Sequence, residues 1–165
     1  FELTFLDEHY IVSYPSGEIF TKEGQGKAGI TFDILFLHYL YLSQGLPLNN
    51  QWISFKELPG GQIYIAPFQN RAITPFTKAF GTKGRDFSRA AENLGGEAKE
   101  FGDLSYALSV FPRIPIMFVL WEADDEFPAS GTILFDSSAP SYLDTEDYAM
   151  LCGLLTGRLK GAVKQ

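Results

Sequence analysis

The densest grouping of reactive side chains is the run Glu122–Glu126, which holds Glu122, Asp124, Asp125 and Glu126. Oxygen-rich clusters suit a hard cation such as Ca²⁺ or Mg²⁺. Asp124, Asp125 and Glu126 are therefore the candidate metal ligands. The spacing lacks the Asp-x-Asp-x-Asp-Gly pattern of an EF-hand. A solvated hairpin tip, whose charges protect a sheet edge, is the plainer account.

His38 sits inside the apolar run Ile34–Leu42. A histidine there suits a metal or the axial position of a tetrapyrrole. His9 lies in a turn near the start, and no second ligand stands at metal spacing. A hydrogen-bonded core histidine is the plainer account. Asp33 precedes His38 by five residues, off its helical face. Cys152 is the only cysteine and falls on the apolar side of the last helical stretch. It reads as a buried thiol, with no visible base to activate it. Ser137 and Ser138 follow Asp136 without the Gly-x-Ser-x-Gly elbow of a serine hydrolase. Among Gly24, Gly26 and Gly29, the first interval fits a dinucleotide-binding turn, but Gly29 lacks the strand–turn–helix context. No Walker A pattern occurs.

The stretch Trp52–Gly61 is rich for a connector. Aromatics beside a double glycine shape ligand surfaces, because glycine admits close backbone approach. Trp52, Phe55, Glu57, Gly60 and Gly61 are candidate ligand-binding residues. Trp121 and Phe127, which flank the acidic run, join them. A well-packed connector is the plainer alternative.

Several of these stretches together resemble the family called domain of unknown function 3786. They are Leu37-His38-Tyr39-Leu40, Trp52-Ile53-Ser54-Phe55-Lys56-Glu57-Leu58-Pro59-Gly60-Gly61, Trp121 with Asp124-Asp125-Glu126-Phe127-Pro128, and Ile133-Leu134-Phe135-Asp136. The similarity covers nearly the whole chain. Ala123 stands where the pattern has glycine before the acidic pair, which puts a tight-turn role there in question. The resemblance implies a protein of anaerobic bacteria or archaea. Some relatives carry a four-cysteine iron–sulfur domain of the kind found in corrinoid iron–sulfur proteins. This chain lacks those cysteines. The resemblance carries no catalytic residues and no cofactor.

The elements that must position these residues are legible in outline. Phe1–Phe20 alternates polar and apolar residues around Asp7-Glu8 and Pro15-Ser16-Gly17, a β-meander. Glu23–Gly29 is a loop. Thr31–Ser43 is apolar on almost every side, as a helix buried all round would be. Trp52–Phe55 is a short strand or irregular, and Gln62–Phe80 is a helix interrupted by Pro67 and Pro75. Phe87, Ala90, Ala91 and Leu94 mark an amphipathic helix capped by Asp86 and ended by Gly95-Gly96. Strands are expected at 104–111, 114–121 and 132–135. A last helix spans Thr145–Val163, capped by Thr145, with Glu146 and Asp147 at its positive end. The expected class is α+β, with a mainly antiparallel sheet and about four helices.

The chain has 165 residues, a size for one domain spanning 1–165. It opens on Phe1 without an initiator Met, which fits a piece excised from a longer chain. Its net charge is −7, and it has no basic stripe. That argues against nucleic acid and against an anionic membrane surface. One cysteine and no leader-like start point to a cytoplasmic setting.

Three functions fit these observations. The first is a binding or accessory module for a redox or corrinoid protein of anaerobic one-carbon metabolism, the partner that the resemblance implies. The second is a small acid/base or divalent-metal enzyme drawing on Asp124, Asp125, Glu126, Asp136 and Glu57. The third is a structural or oligomerisation domain.

Overall fold

The computed structural model describes residues 1–23 and 29–163. The chain begins as a three-stranded antiparallel meander, β1 (Glu2–Phe5), β2 (Glu8–Val12) and β3 (Ile19–Thr21). Its alternation works as expected. Phe5, Tyr10, Val12 and Ile19 are buried, while Glu2, His9 and Ile11 face out. The meander is tied to the rest of the molecule by the Leu6 N–H, which donates to the Val110 carbonyl at 2.8 Å.

A second sheet combines β4 (Trp52–Ser54), β5 (Glu97–Lys99), β6 (Leu104–Phe111), β7 (Ile114–Trp121) and β8 (Ser130–Asp136). Its order is β4-β8-β7-β6-β5, and every neighbouring pair is antiparallel. The expected α+β class holds. β7 is the central strand, which explains its apolar sequence. Ile116, Phe118 and Leu120 face the helices, while Met117 and Val119 are covered on the other face by Ala107, Leu134 and Trp52. Pro115 pairs with Ser109 beside a β-bulge, where the lost ladder donor is least costly. β5 carries no apolar alternation (Glu-Ala-Lys), so nothing in its pattern announced a strand.

The helices are α1 (Ile30–Leu42), α2 (Gly61–Phe68), α3 (Thr74–Phe80), α4 (Gly84–Asn93) and α5 (Thr145–Ala162). A π turn, 69–73, joins α2 to α3, so the expected helix 62–80 is one continuous body. Both prolines are accommodated around that turn, where the regular hydrogen-bond ladder is already broken. Aromatic pairs lock the helices onto the sheet. Phe76 meets Phe118 at 5.1 Å, Phe87 meets Tyr106 at 5.4 Å, and Tyr148 meets Phe135 at 5.3 Å, all edge-on. Each such buried ring contributes about 1.5–3 kcal/mol of transfer free energy. A second aromatic group (Phe5, Tyr10, Phe36 and Phe111) fastens α1 between the meander and the end of β6.

Several local expectations are corrected. α1 is not buried all round: Leu35, Phe36 and Tyr39 face the core, but Ile30, Ile34, Leu37 and Tyr41 face solvent. His38 is accordingly half-exposed and is not a core histidine. α4 starts at Gly84, ahead of Asp86, and its first N–H donates to the carboxylate of Glu122 at 3.1 Å. α5 is preceded by Asp144, and the Thr145 hydroxyl donates to the Pro59 carbonyl at 2.6 Å instead of capping its own helix. Trp52 lies in a regular strand. The loop expected at 23–29 falls mostly outside the described residues, Gly24 and Gly26 included. Among the described residues, no helix is long and apolar enough to cross a membrane.

Candidate functional site

The acidic run forms the β7–β8 connection. Trp121 ends β7 opposite Ser130, and residues 122–129 close the hairpin. The backbone N–H groups of Phe127 and Glu126 donate to Asp124 Oδ1 at 2.7 and 2.8 Å, and the Asp124 N–H returns to the Phe127 carbonyl at 3.0 Å. Those two donors, Phe127 foremost, hold the Asp124 carboxyl below the usual carboxylate range. Asp124 thus works as the clasp of its own turn. Ala123, where the family pattern suggested glycine, donates its N–H to the Gly81 carbonyl at 2.9 Å. Asp125 and Glu126 are exposed to solvent. Among the described residues, no group of three or more His, Cys, Asp or Glu side chains is arranged to hold a metal ion.

The β5–β6 connection sits beside this hairpin, because antiparallel neighbours turn at the same end of the sheet. The Asp103 N–H donates to the Leu120 carbonyl at 2.9 Å, and Asp103 Oδ2 accepts the Glu122 N–H at 2.8 Å. Gly102 has φ +57°. A Cβ there would fall 2.7 Å from Val119 and 3.2 Å from the Trp121 ring. Glycine is required for the loop to lie against β7. The result is an end of the sheet where Phe101, Trp121 and Phe127 are exposed together. Around them stand Glu100, Asp103, Glu122, Asp124, Asp125 and Glu126, all exposed. Lys83, in the α3–α4 turn, and Arg85, in the first turn of α4, adjoin this end through the Gly84–Glu122 hydrogen bond and offset only part of that charge.

Trp52–Gly61 lies elsewhere. Trp52 pairs with Asp136 and Trp121 with Ser130, six positions apart along β8. That is about 20 Å at strand rise. Trp52 is half-buried on the outer sheet face. Phe55 is buried and stacked on Phe68 with centroids 4.0 Å apart. Glu57 closes a capping box. Its Oε2 accepts the Ser54 N–H at 2.7 Å and the Ser54 hydroxyl at 2.8 Å, which lowers its pKa. Gly60 has φ +68°, and a Cβ on Gly61 would sit 2.1 Å from the Phe55 carbonyl oxygen. The close backbone approach that the double glycine signals is therefore to the chain itself.

Asp136 is a buried structural acceptor. Burial pushes its carboxyl up, but donors from Ser138, Asn49 and Asn50 outweigh that and leave its pKa below the ordinary value. Cys152 is fully buried, and burial pushes its thiol well up, so it is a poor nucleophile.

His38 also has a partner that no sequence pattern suggested. Its Nδ1 lies 2.9 and 3.0 Å from the two oxygens of Asp147, which is buried in the first turn of α5. A buried carboxylate that orients a half-exposed imidazole is the pairing used in general acid–base chemistry. Nε2 makes no hydrogen bond among the described residues. His38 and the acidic hairpin belong to different elements, on α1 and on the β7–β8 turn.

The family model described as Domain of unknown function (DUF3786) matches residues 1–158. The chain belongs to that family. No curated protein and no solved structure gives a match. The match covers both sheets and α5 as far as Arg158, so the aromatic–acidic end and the His38–Asp147 pair both lie inside the family domain. Sequence reasoning named Trp121, Phe127 and the acids after Trp121, but missed Phe101 and Asp103. Their signal was faint, a Gly-Asp turn after an aromatic, and only strand pairing brings them to Trp121.

Proposed function

We propose that this family member is a binding or accessory module that receives a basic protein surface on the Phe101–Trp121–Phe127 end of its five-stranded sheet. The observation that carries the reading is three exposed aromatic rings set among six exposed carboxylates on two adjoining turns. Aromatic residues are enriched at protein contacts, Trp among the few residues that carry most of the energy, and surrounding charge selects the partner and speeds encounter. Charge complementarity calls for a partner rich in Lys and Arg around an apolar patch. The family resemblance supports a finer version, in which the partner is an iron–sulfur or corrinoid protein of anaerobic one-carbon metabolism.

The test is calorimetry of this chain against a purified corrinoid iron–sulfur protein, with free cobalamin as a separate titrant. Binding to the protein that weakens with added salt and is lost in Trp121→Ala supports the reading. Absence of binding at low salt defeats the corrinoid version. Binding that is indifferent to Trp121→Ala, Phe127→Ala and salt defeats the proposed surface.

A further inference from the structure

α1 presents a second surface of a different kind. Its outward residues Ile30, Ile34, Leu37 and Tyr41 follow one helical face over about 16 Å. The β2–β3 turn lies alongside: a Cβ on its Gly17 would be 3.7 Å from Leu37. That turn adds Tyr14. Tyr14 and Tyr41 are 86% and 87% exposed, and Ile30 77%. Ile34 and Leu37, between them on α1, are 37% and 41% exposed, and a run of apolar side chains left open along one helix face marks an interaction surface.

We infer that this face is a two-fold interface between two copies of the chain, with α1 packed antiparallel on its symmetry mate. Two observations select a second copy over a foreign partner. The first is charge. The chain carries −7 overall, yet none of the five residues of the patch is charged, in contrast to the aromatic–acidic end of the sheet. Copies of like net charge meet at least cost through an uncharged contact. The second is spacing. The intervals along the stripe are four, three and four residues, which read the same in both directions. An antiparallel mate therefore sets Tyr41 of one copy over Ile30 of the other, and Ile34 against Leu37 across the axis. This is the self-complementarity that an isologous contact demands. Antiparallel helices also place each positive end beside the mate's negative end. The inference is independent of the proposed partner surface, which lies on other elements.

Sedimentation equilibrium of the whole chain tests it. The expected species has twice the 18.4 kDa of one chain and persists in high salt, as an apolar contact does. Leu37→Asp and Tyr41→Lys each raise the dissociation constant about tenfold or more. Their circular dichroism stays that of the native chain, since both side chains are open to solvent on α1, and their melting loses the dependence on protein concentration that a dimer shows. Mixing Ile30→Cys chains with Tyr41→Cys chains under mild oxidation gives cross-linked heterodimers in preference to either homodimer, with buried Cys152 silent. A monomer at all accessible concentrations overturns the inference, as does a dimer indifferent to both charge substitutions. A dimer that cross-links best through Ile30→Cys alone overturns the antiparallel arrangement. Loss of corrinoid-protein binding in Trp121→Ala leaves the dimer untouched, so the two readings fail separately.

Discussion

Asp136, Glu57, Asp124 and Asp147 are all side chains that could serve as catalytic acids, and in each the oxygens are engaged by neighbours. What a carboxylate does depends on the donors around it, and donors come from backbone geometry. Asp136 shows the consequence for stability. Its pKa is lower folded than unfolded, so its ionised form stabilises the protein above the ordinary value of about 3.9. That contribution disappears as pH falls through the folded value. Asp136→Asn is expected to cost about 1–3 kcal/mol near neutral pH. Urea unfolding over about pH 2–6 should show the native chain losing stability more steeply with acid than this variant. His38→Ala strands the buried Asp147 carboxylate without its partner, and a similar loss of about 1–3 kcal/mol is expected in thermal unfolding. At this scale the sequence showed which residues are chemically able. It did not show that Asp147 faces His38, because 109 positions separate them.

Among the elements, the glycines divide into those that a neighbour requires and those that none does. Gly61 lies against the Phe55 carbonyl, whereas a Cβ on Gly157, inside α5, would meet nothing within 4 Å. Gly61→Ala is expected to destabilise by about 1–3 kcal/mol through displacement of the α2 turn. Gly157→Ala is expected to stabilise by about 0.5–1 kcal/mol, since alanine costs less entropy in a helix. Paired thermal melts check both signs. Periodicity located the meander, β6, β7 and the long helices, because their apolar spacing matches strand or helix repeats. It failed on β5, whose place is set by pairing with β6. It also failed on the environment of α1: an apolar sequence does not reveal whether all its sides are covered.

For the molecule as a whole, the charge distribution makes the proposed partner contact testable in its simplest form. Binding through the aromatic–acidic end should weaken as ionic strength rises past about 0.15 M, where the screening length falls to about 8 Å. Asp125→Asn with Glu126→Gln should reduce the association rate more than it raises the dissociation rate, as rim charges do. Stopped-flow association at two salt concentrations measures both effects. Family membership was legible in a few dense stretches, and so was the α+β class, because local patterns carry both. The outline of the candidate surface was half legible. Trp121, Phe127 and the acids between them are near neighbours along the chain. Phe101 and Asp103 reach them only because β5–β6 and β7–β8 turn at one end of an antiparallel sheet. Trp52, close to Trp121 in apparent kind, is carried about 20 Å away by the same pairing. The sequence by itself determined which segments are apolar, where they turn and which side chains can do chemistry. Tertiary structure alone decided which of them meet and which faces stay open to water, because burial and proximity depend on contacts between residues far apart along the chain.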